Sequence, residues 1–280
     1  MDSMKSRLLT AAVGIPFAIV VLTLGEFFHF IMYIIISALC VLMTFELLSA
    51  KKLHKNPKIL IPSLIYSFAQ PILVSLSLAL LPAFIYLLVS FFVMILFNRE
   101  LSYHDVAFSC FGTLIITGAM SMMLILPHMY LSYFTYFFVL TIGTTWFADA
   151  GAYFAGVFFG KHKLCPRVSP KKTVEGFIGG IIIGTAGAAL VSFIFSFIFR
   201  DLVFNYIYVL ITGFIVSIVS VLGDLTFSLI KRSCDIKDYG SIFPGHGGVL
   251  DRFDSVIFTA PLVYYIGLYF PLFTIGKVNL

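Results

Sequence analysis

The sequence predicts an all-α, polytopic integral membrane protein with about nine transmembrane helices, N-terminus inside and C-terminus outside. Three observations carry this reading. Of 280 residues, 60% are hydrophobic and 11% charged, against roughly 25% charged in an average globular domain. Mean hydropathy is +1.06, and a soluble fold of this length has too little interior to hide so much apolar surface. The chain also divides into nine apolar stretches near the ~20 residues that a spanning helix needs. Finally, its basic residues fall almost entirely on one side of the alternating map. These features exclude a soluble enzyme, a disordered chain and a nucleic-acid binder built on a basic face.

In order, the expected spans are 8–25, 31–49, 59–76, 82–97, 106–126, 132–157, 174–199, 203–227 and 255–275. The first follows a short basic flank, Met1 to Arg7, with no small-x-small cleavage site closing a short apolar run, so it is expected to stay uncleaved. The third and fourth are interrupted by Pro62, Pro71 and Pro82, which leaves kinks or a merged re-entrant pair open. With the N-terminus inside, 16 basic residues lie on the inner side and only Arg200 and Lys277 outside. The positive-inside rule therefore supports an odd span count. Four cysteines, Cys40, Cys110, Cys165 and Cys234, form no CxxC pair, and no His stands at zinc spacing from them.

Residues 1–130 read as N-terminal transmembrane helices and 131–280 as a C-terminal catalytic region. The two long inner loops, about 158–173 and about 228–254, both belong to the latter. Long polar loops in a compact membrane protein are where function concentrates.

The stretch 221–255 holds 10 of the chain's 37 acidic, basic and histidine residues in 35 positions. Asp251 and Asp254, three apart, would share one helix face. Asp224 sits within a predicted span, where a lone charge is costly. Hard oxygen ligands of this kind suit Mg²⁺, which takes one or two carboxylates plus substrate phosphates. Capping aspartates in a solvated loop are the competing role. Pro244-Gly245-His246-Gly247-Gly248 places flexible backbone between the acids, free to approach an anion. His246 would contact a phosphate, orient a ligand or fill a turn.

A second constellation runs from Asp149 to Gly180. Asp149 and Tyr153 lie one turn apart near the inner end of the sixth span. Gly151, Gly156 and Gly160 would allow close helix packing. In Ser169-Pro170-Lys171-Lys172-Thr173-Val174-Glu175-Gly176, Thr173 and Glu175 resemble a helix start. A helix N-terminus flanked by Lys171 and Lys172 is an anion site; anionic-lipid contact is the alternative role of these lysines.

The spacing Ser228-x-x-Lys231-Arg232-x4-Lys237-Asp238-x5-Pro244-x-His246-Gly247-Gly248-x-x-Asp251-Arg252-x-Asp254 resembles the C-terminal signature of phosphatidate cytidylyltransferases, also called CDP-diacylglycerol synthases. The segment Asp149 to Gly180 is similar to that family's second motif region. The first half of the chain matches only in being several hydrophobic spans.

The resemblance implies a multi-span enzyme, commonly homodimeric, that converts CTP and phosphatidic acid to CDP-diacylglycerol and pyrophosphate. It implies Mg²⁺ or another divalent cation, with a second cation left open. It further implies a bacterial cytoplasmic membrane, with the active site facing the cytoplasm. By carry-over, Asp224, Asp251 and Asp254 look like metal ligands and, with Lys237 and His246, form the expected catalytic set. Lys231, Arg232, Lys237 and Arg252 would contact phosphates. Asp238, Gly247 and Gly248 complete the substrate-binding set together with Asp149, Tyr153, Ser169, Lys171, Lys172, Thr173 and Glu175.

The chemistry agrees with that expectation. Phosphatidate is already an anion, so its oxygen needs no strong general base; the difficulty is bringing it against a triphosphate of like charge. Another CTP-dependent membrane enzyme, such as a polyprenol kinase, would release CDP instead. A CDP-alcohol phosphotransferase needs an order of aspartates absent here. A transporter would use Glu46 or Asp149 as a midplane carboxylate. Glu46 itself is expected to snorkel toward Lys51 and Lys52, while Glu26, His29, His128 and Asp201 read as structural or solvated.

Overall fold

In a computed structural model the described residues are 28–74, 80–129, 133–242 and 247–276, with Gly25, Leu76 and Leu78. The expected first span falls outside them apart from Gly25, as do Glu26, Pro244, Gly245, His246 and Lys277. The side chains of His29 and His128 are likewise outside the described set.

Eight α-helices are described. They are α1 (His29–Ala50), α2 (Pro57–Val74), α3 (Leu80–Leu96), α4 (Tyr103–Met129), α5 (Phe134–Phe159), α6 (Val174–Ile198), α7 (Tyr206–Ser233) and α8 (Leu250–Tyr269). Five stretches are long and apolar enough to cross a membrane: Phe30–Ala50, Pro57–Val74, Tyr103–Ile125, Val174–Ile198 and Tyr206–Ser233. Leu80–Leu96 is a shorter apolar helix. This build is compatible with a polytopic membrane protein.

The chain is not purely helical. Strands β1 (Lys163–Cys165) and β2 (Ser169–Thr173) form an antiparallel hairpin, and β3 (Leu202–Phe204) pairs antiparallel with β4 (Phe273–Ile275). Their three to five residues are too short to leave a periodic signal. The third and fourth expected spans are two separate helices, not the merged pair left open, and Pro62 and Pro71 lie inside α2.

Two boundaries move toward the site. α7 continues to Ser233 rather than ending at 227, so Lys231 and Arg232 occupy its last turn, where cations suit the helix C-terminus. Asp235, at φ +56, sits in the left-handed region just beyond. α8 begins at Leu250 rather than 255, which places Asp251 in its first turn.

The chain parts into two compact units, and the cuts pass through α4, α7 and α8. One unit joins residues 1–128 to 231–253. Here α1 packs on α2 and α2 on α3. Hydroxyls link the helices: Thr44 to Ser67 at 2.8 Å, Ser67 to Thr117 at 3.2 Å, and Ser63 to both Tyr86 and Ser109 at 3.0 Å. Such bonds hold helices together where apolar burial cannot discriminate helix from lipid.

The other unit holds 129–230 and 254–280. Its α5 and α6 meet through small residues, the close approach that glycines permit. A Cβ at Gly179 would lie 2.2 Å from Ala155 Cβ, and one at Gly184 would lie 2.1 Å from Ser217 Oγ on α7. At the opposite end from the β1–β2 hairpin, Tyr136 is buried among Phe137, Phe195, Phe204 and Phe273. Nearby, the Tyr133 hydroxyl donates to Asp201, giving that acid a structural partner.

Gly179→Val should lower the thermal midpoint of the detergent-solubilised protein, by the equivalent of about 1–3 kcal/mol of overpacking. Gly118→Ala should not, because a Cβ there meets nothing within 4 Å. Equal midpoints for Gly179→Val and wild type would contradict the close α5–α6 contact.

Candidate active site

Within the first unit the candidate residues Lys231, Gly247, Gly248 and Asp251 cluster around the start of α8. Asp251 is buried and accepts three donors: Lys231 Nζ at 2.8 Å on Oδ1, and the backbone N–H groups of Tyr239 at 2.8 Å and Gly248 at 2.9 Å on Oδ2. Lys231 is itself buried, and its ammonium stands 5.4 Å from the centre of the Tyr239 ring. Gly247 has φ +85, and a Cβ there would meet Asp251 Oδ2 at 2.9 Å. Both facts require glycine at that position.

Glu46 belongs to the same cluster. It is buried on α1, and its carboxylate accepts from Val249 N at 3.0 Å and Leu250 N at 2.7 Å. The expected snorkelling to Lys51 and Lys52 is therefore wrong. Lys51 pairs instead with Asp105 at 2.7 Å. A free backbone N–H at a buried helix start attracts a carboxylate more strongly than a solvated lysine does.

Around these buried groups Arg232, Lys237, Asp238 and Arg252 are exposed. Arg232 donates to Ile236 O at 3.2 Å, while Lys237, Asp238 and Arg252 face outward.

In the second unit the hairpin returns the chain into α6. Thr173 caps that helix, its hydroxyl accepting from Gly176 N at 3.1 Å. Glu175 accepts from Lys161 N at 3.0 Å and His162 N at 3.2 Å, and it pairs with His162 Nδ1 at 2.6 Å. The expected helix start is thus borne out, and Glu175 serves to close the hairpin. Ser169 opens β2, with Lys171 exposed beside Lys172.

Lys172 Nζ stands 2.5 Å from Asp224 Oδ2 on α7. Ser228 Oγ donates to Asp224 Oδ1 at 3.1 Å. At this level α7 and α8 are in backbone contact, because a Cβ on Gly223 would lie 3.0 Å from Asp254 O. Asp254 is buried and accepts from Ser255 N at 2.8 Å. Asp149 and Tyr153 lie on an exposed face of α5.

Among the described residues no group of three His, Cys, Asp or Glu side chains stands together as a metal centre. The donor chemistry of the second unit nevertheless fits a hard divalent cation. Asp224 and Asp254 supply two carboxylates from contacting helices, the number Mg²⁺ commonly takes beside substrate phosphates. Lys172 provides the compensating charge on Asp224 in the arrangement seen.

A sequence model of the cytidylyltransferase family matches residues 5–270. The chain belongs to the cytidylyltransferase family. The phosphatidate cytidylyltransferase of Bacillus subtilis (strain 168) is 47% identical over 132 residues, 47% of each chain. That of Rickettsia bellii is 38% identical over 172 residues, 61% of this chain and 74% of the relative. That of Synechocystis sp. is 44% identical over 131 residues, 45% of this chain and 41% of the relative. Apart from the Rickettsia bellii protein, the match spans about half the length of these curated relatives.

For this cytidylyltransferase, sequence reasoning put Asp224, Lys231, Gly247, Gly248, Asp251 and Asp254 in one constellation and Lys172 and Thr173 in another, whereas the structure has Lys231, Gly247, Gly248 and Asp251 in the first unit and Lys172, Thr173, Asp224 and Asp254 in the second. Sequence reasoning missed Tyr239 as a donor and Glu46 as a partner of the α8 start. The signal for Glu46 was present in the sequence: a carboxylate inside an apolar run needs a partner.

The Lys231–Asp251 pair makes a direct prediction. Lys231→Met leaves a buried carboxylate without its counter-ion and should cost about 3–5 kcal/mol of stability. Adding Asp251→Asn removes that charge and should recover part of the loss. Thermal midpoints of the two single variants and the double variant decide it: strict additivity would show that the pair is not coupled.

Proposed function

We propose that this chain is a phosphatidate cytidylyltransferase, transferring CMP from CTP to phosphatidic acid in phospholipid biosynthesis. The observation that carries the reading is the family match over 5–270, whose matched span contains both lysine–carboxylate clusters. The named relatives and the arrangement of buried acids support it.

In the proposed reaction a phosphate oxygen of phosphatidate attacks the α-phosphorus of CTP. The bond from that phosphorus to the bridging β-oxygen breaks. CDP-diacylglycerol and pyrophosphate result. Phosphatidate needs no proton removed from a hydroxyl, so the residues required are those that overcome like-charge repulsion. A divalent cation, held by Asp224 and Asp254, would neutralise phosphate charge and favour the leaving group.

Lys172 and Lys171, on the strand entering α6, supply positive charge beside a helix N-terminus, a setting that favours phosphate. Lys231 and the outward-facing Arg232, Lys237 and Arg252 supply more. Gly247 and Gly248 leave the backbone open, and His246 is kept as a candidate phosphate contact. Asp149, Tyr153, Ser169 and Asp238 remain candidates for the substrate-facing set.

The same reading places the protein in a bacterial cytoplasmic membrane, as a homodimer of nine-span subunits. Its N-terminus is inside and its C-terminus outside. The supporting observation is the division of basic residues, 16 inside against 2 outside. Under this topology CTP reaches the site from the cytoplasm, while the acyl chains of phosphatidate stay in the bilayer beside the helices.

The test is pyrophosphate release by purified protein given CTP, phosphatidate and Mg²⁺, with one component dropped at a time. Release should require all three. CDP release without pyrophosphate would overturn the reading in favour of a kinase. Asp254→Asn should reduce the rate by 10²-fold or more, about what loss of a key electrostatic group costs; normal Mg²⁺-dependent turnover would remove Asp254 from the metal set.

A further inference from the structure

The start of α8 raises a problem of its own. A helix N-terminus leaves backbone N–H groups without intrahelical acceptors. The usual remedy is a Ser, Thr, Asp or Asn at the cap. Here the chain entering α8 reads Gly247-Gly248-Val249-Leu250, which offers no side-chain oxygen. The position is also buried: Gly248, Val249 and Leu250 are all inside the first unit, away from the water that would otherwise satisfy them.

Two carboxylates solve it, one from the first turn of α8 and one from α1. Asp251 reaches back to Gly248 N at 2.9 Å. Glu46, more than 200 positions earlier in the chain, takes Val249 N and Leu250 N. Three successive donors are thereby assigned to two acids. The glycines on either side are shaped to this guest. A Cβ at Gly240 would lie 2.3 Å from Glu46 Oε1, and one at Gly248 would lie 2.5 Å from both Glu46 oxygens.

We infer that Glu46 is a positioning residue for the reaction: it caps α8 from α1 and so fixes the Gly247–Gly248 backbone and Asp251. This rests on the proposed function for its catalytic consequence, and on geometry alone for its structural one. Glu46 touches no reacting atom in this account. Its effect passes through the α8 start, whose Asp251 in turn holds Lys231 and Tyr239 N. Moving the carboxylate would release Gly240 and the Gly248–Leu250 backbone, and with them the hold of Asp251 on Lys231 and Tyr239 N.

The experiment compares full-length wild type, Glu46→Gln, Gly248→Ala and the double variant in detergent. Glu46→Gln keeps the shape but turns one acceptor into an N–H₂ group facing a backbone donor. Gly248→Ala pushes on the same carboxylate from the other side. The first readout is the rate of trypsin cleavage after the exposed Lys237, followed by mass spectrometry. When opening is fast, cleavage tracks the population of the opened segment. Each single variant should be cut about tenfold faster, the factor that loss of one charge-assisted hydrogen bond carries. The double variant should be cut less than multiplicatively faster, because both changes break one contact.

The second readout is the KM for CTP at saturating phosphatidate and Mg²⁺, which should rise by a similar factor. A lower folded fraction would reduce Vmax and leave KM alone. Wild-type cleavage rates, or a lowered thermal midpoint with unchanged cleavage and unchanged KM, would overturn the assignment. If wild type itself releases no pyrophosphate, the proposed reaction fails, and the cleavage rates alone still decide whether Glu46 holds this segment.

Discussion

A charged group buried in an apolar chain has to meet an opposite charge or a set of donors, and this constraint organises the molecule. Asp251 shows it most completely, with one ammonium and two backbone N–H groups on its two oxygens. Glu46 takes two further backbone donors beside it. In the second unit the half-buried Asp224 pairs with the half-buried Lys172. With only 11% of residues charged, few remain to be spent on solubility. Those that are buried hold helix ends in place, and their partners are set by that task.

Close backbone approach follows from the same pairing. Gly240, Gly247 and Gly248 leave room for carboxylate oxygens, and Gly223 brings α7 against Asp254. Elsewhere glycine serves packing alone, as along α5 and α6. The two uses differ in what a side chain would strike: an acid oxygen at Gly240, Gly247 and Gly248, but a neighbouring side chain or a helix carbonyl along α5 and α6.

Much of this was legible in the sequence. The apolar runs corresponding to α1–α8 follow directly from composition and length. The Thr173 start of α6 was readable because its cap is local, Thr173 bonding to Gly176 N three residues on. The start of α8 was not, because its cap comes from α1 and no residue near 250 announces it. The hairpin escaped because strands of three and five residues carry too few alternations. Lys231, Asp251, Asp224 and Asp254 were found as candidates by their density of charge. Their individual partners were not, since pairing depends on which helices meet. Glu46 was misjudged because sequence proximity favoured Lys51, whereas the three-dimensional competition is won by Asp105 for that lysine and by backbone N–H groups for that acid.

These charges are proposed to serve attack by a lipid phosphate on the α-phosphorus of CTP. The most direct measurement follows the label. Purified protein is given phosphatidate, Mg²⁺ and CTP labelled with ³²P at either the α or the γ position. α-Label should enter the lipid, and γ-label should leave as pyrophosphate. Transfer of γ-label to the lipid, with α-label remaining in free CDP, would contradict this mode of attack.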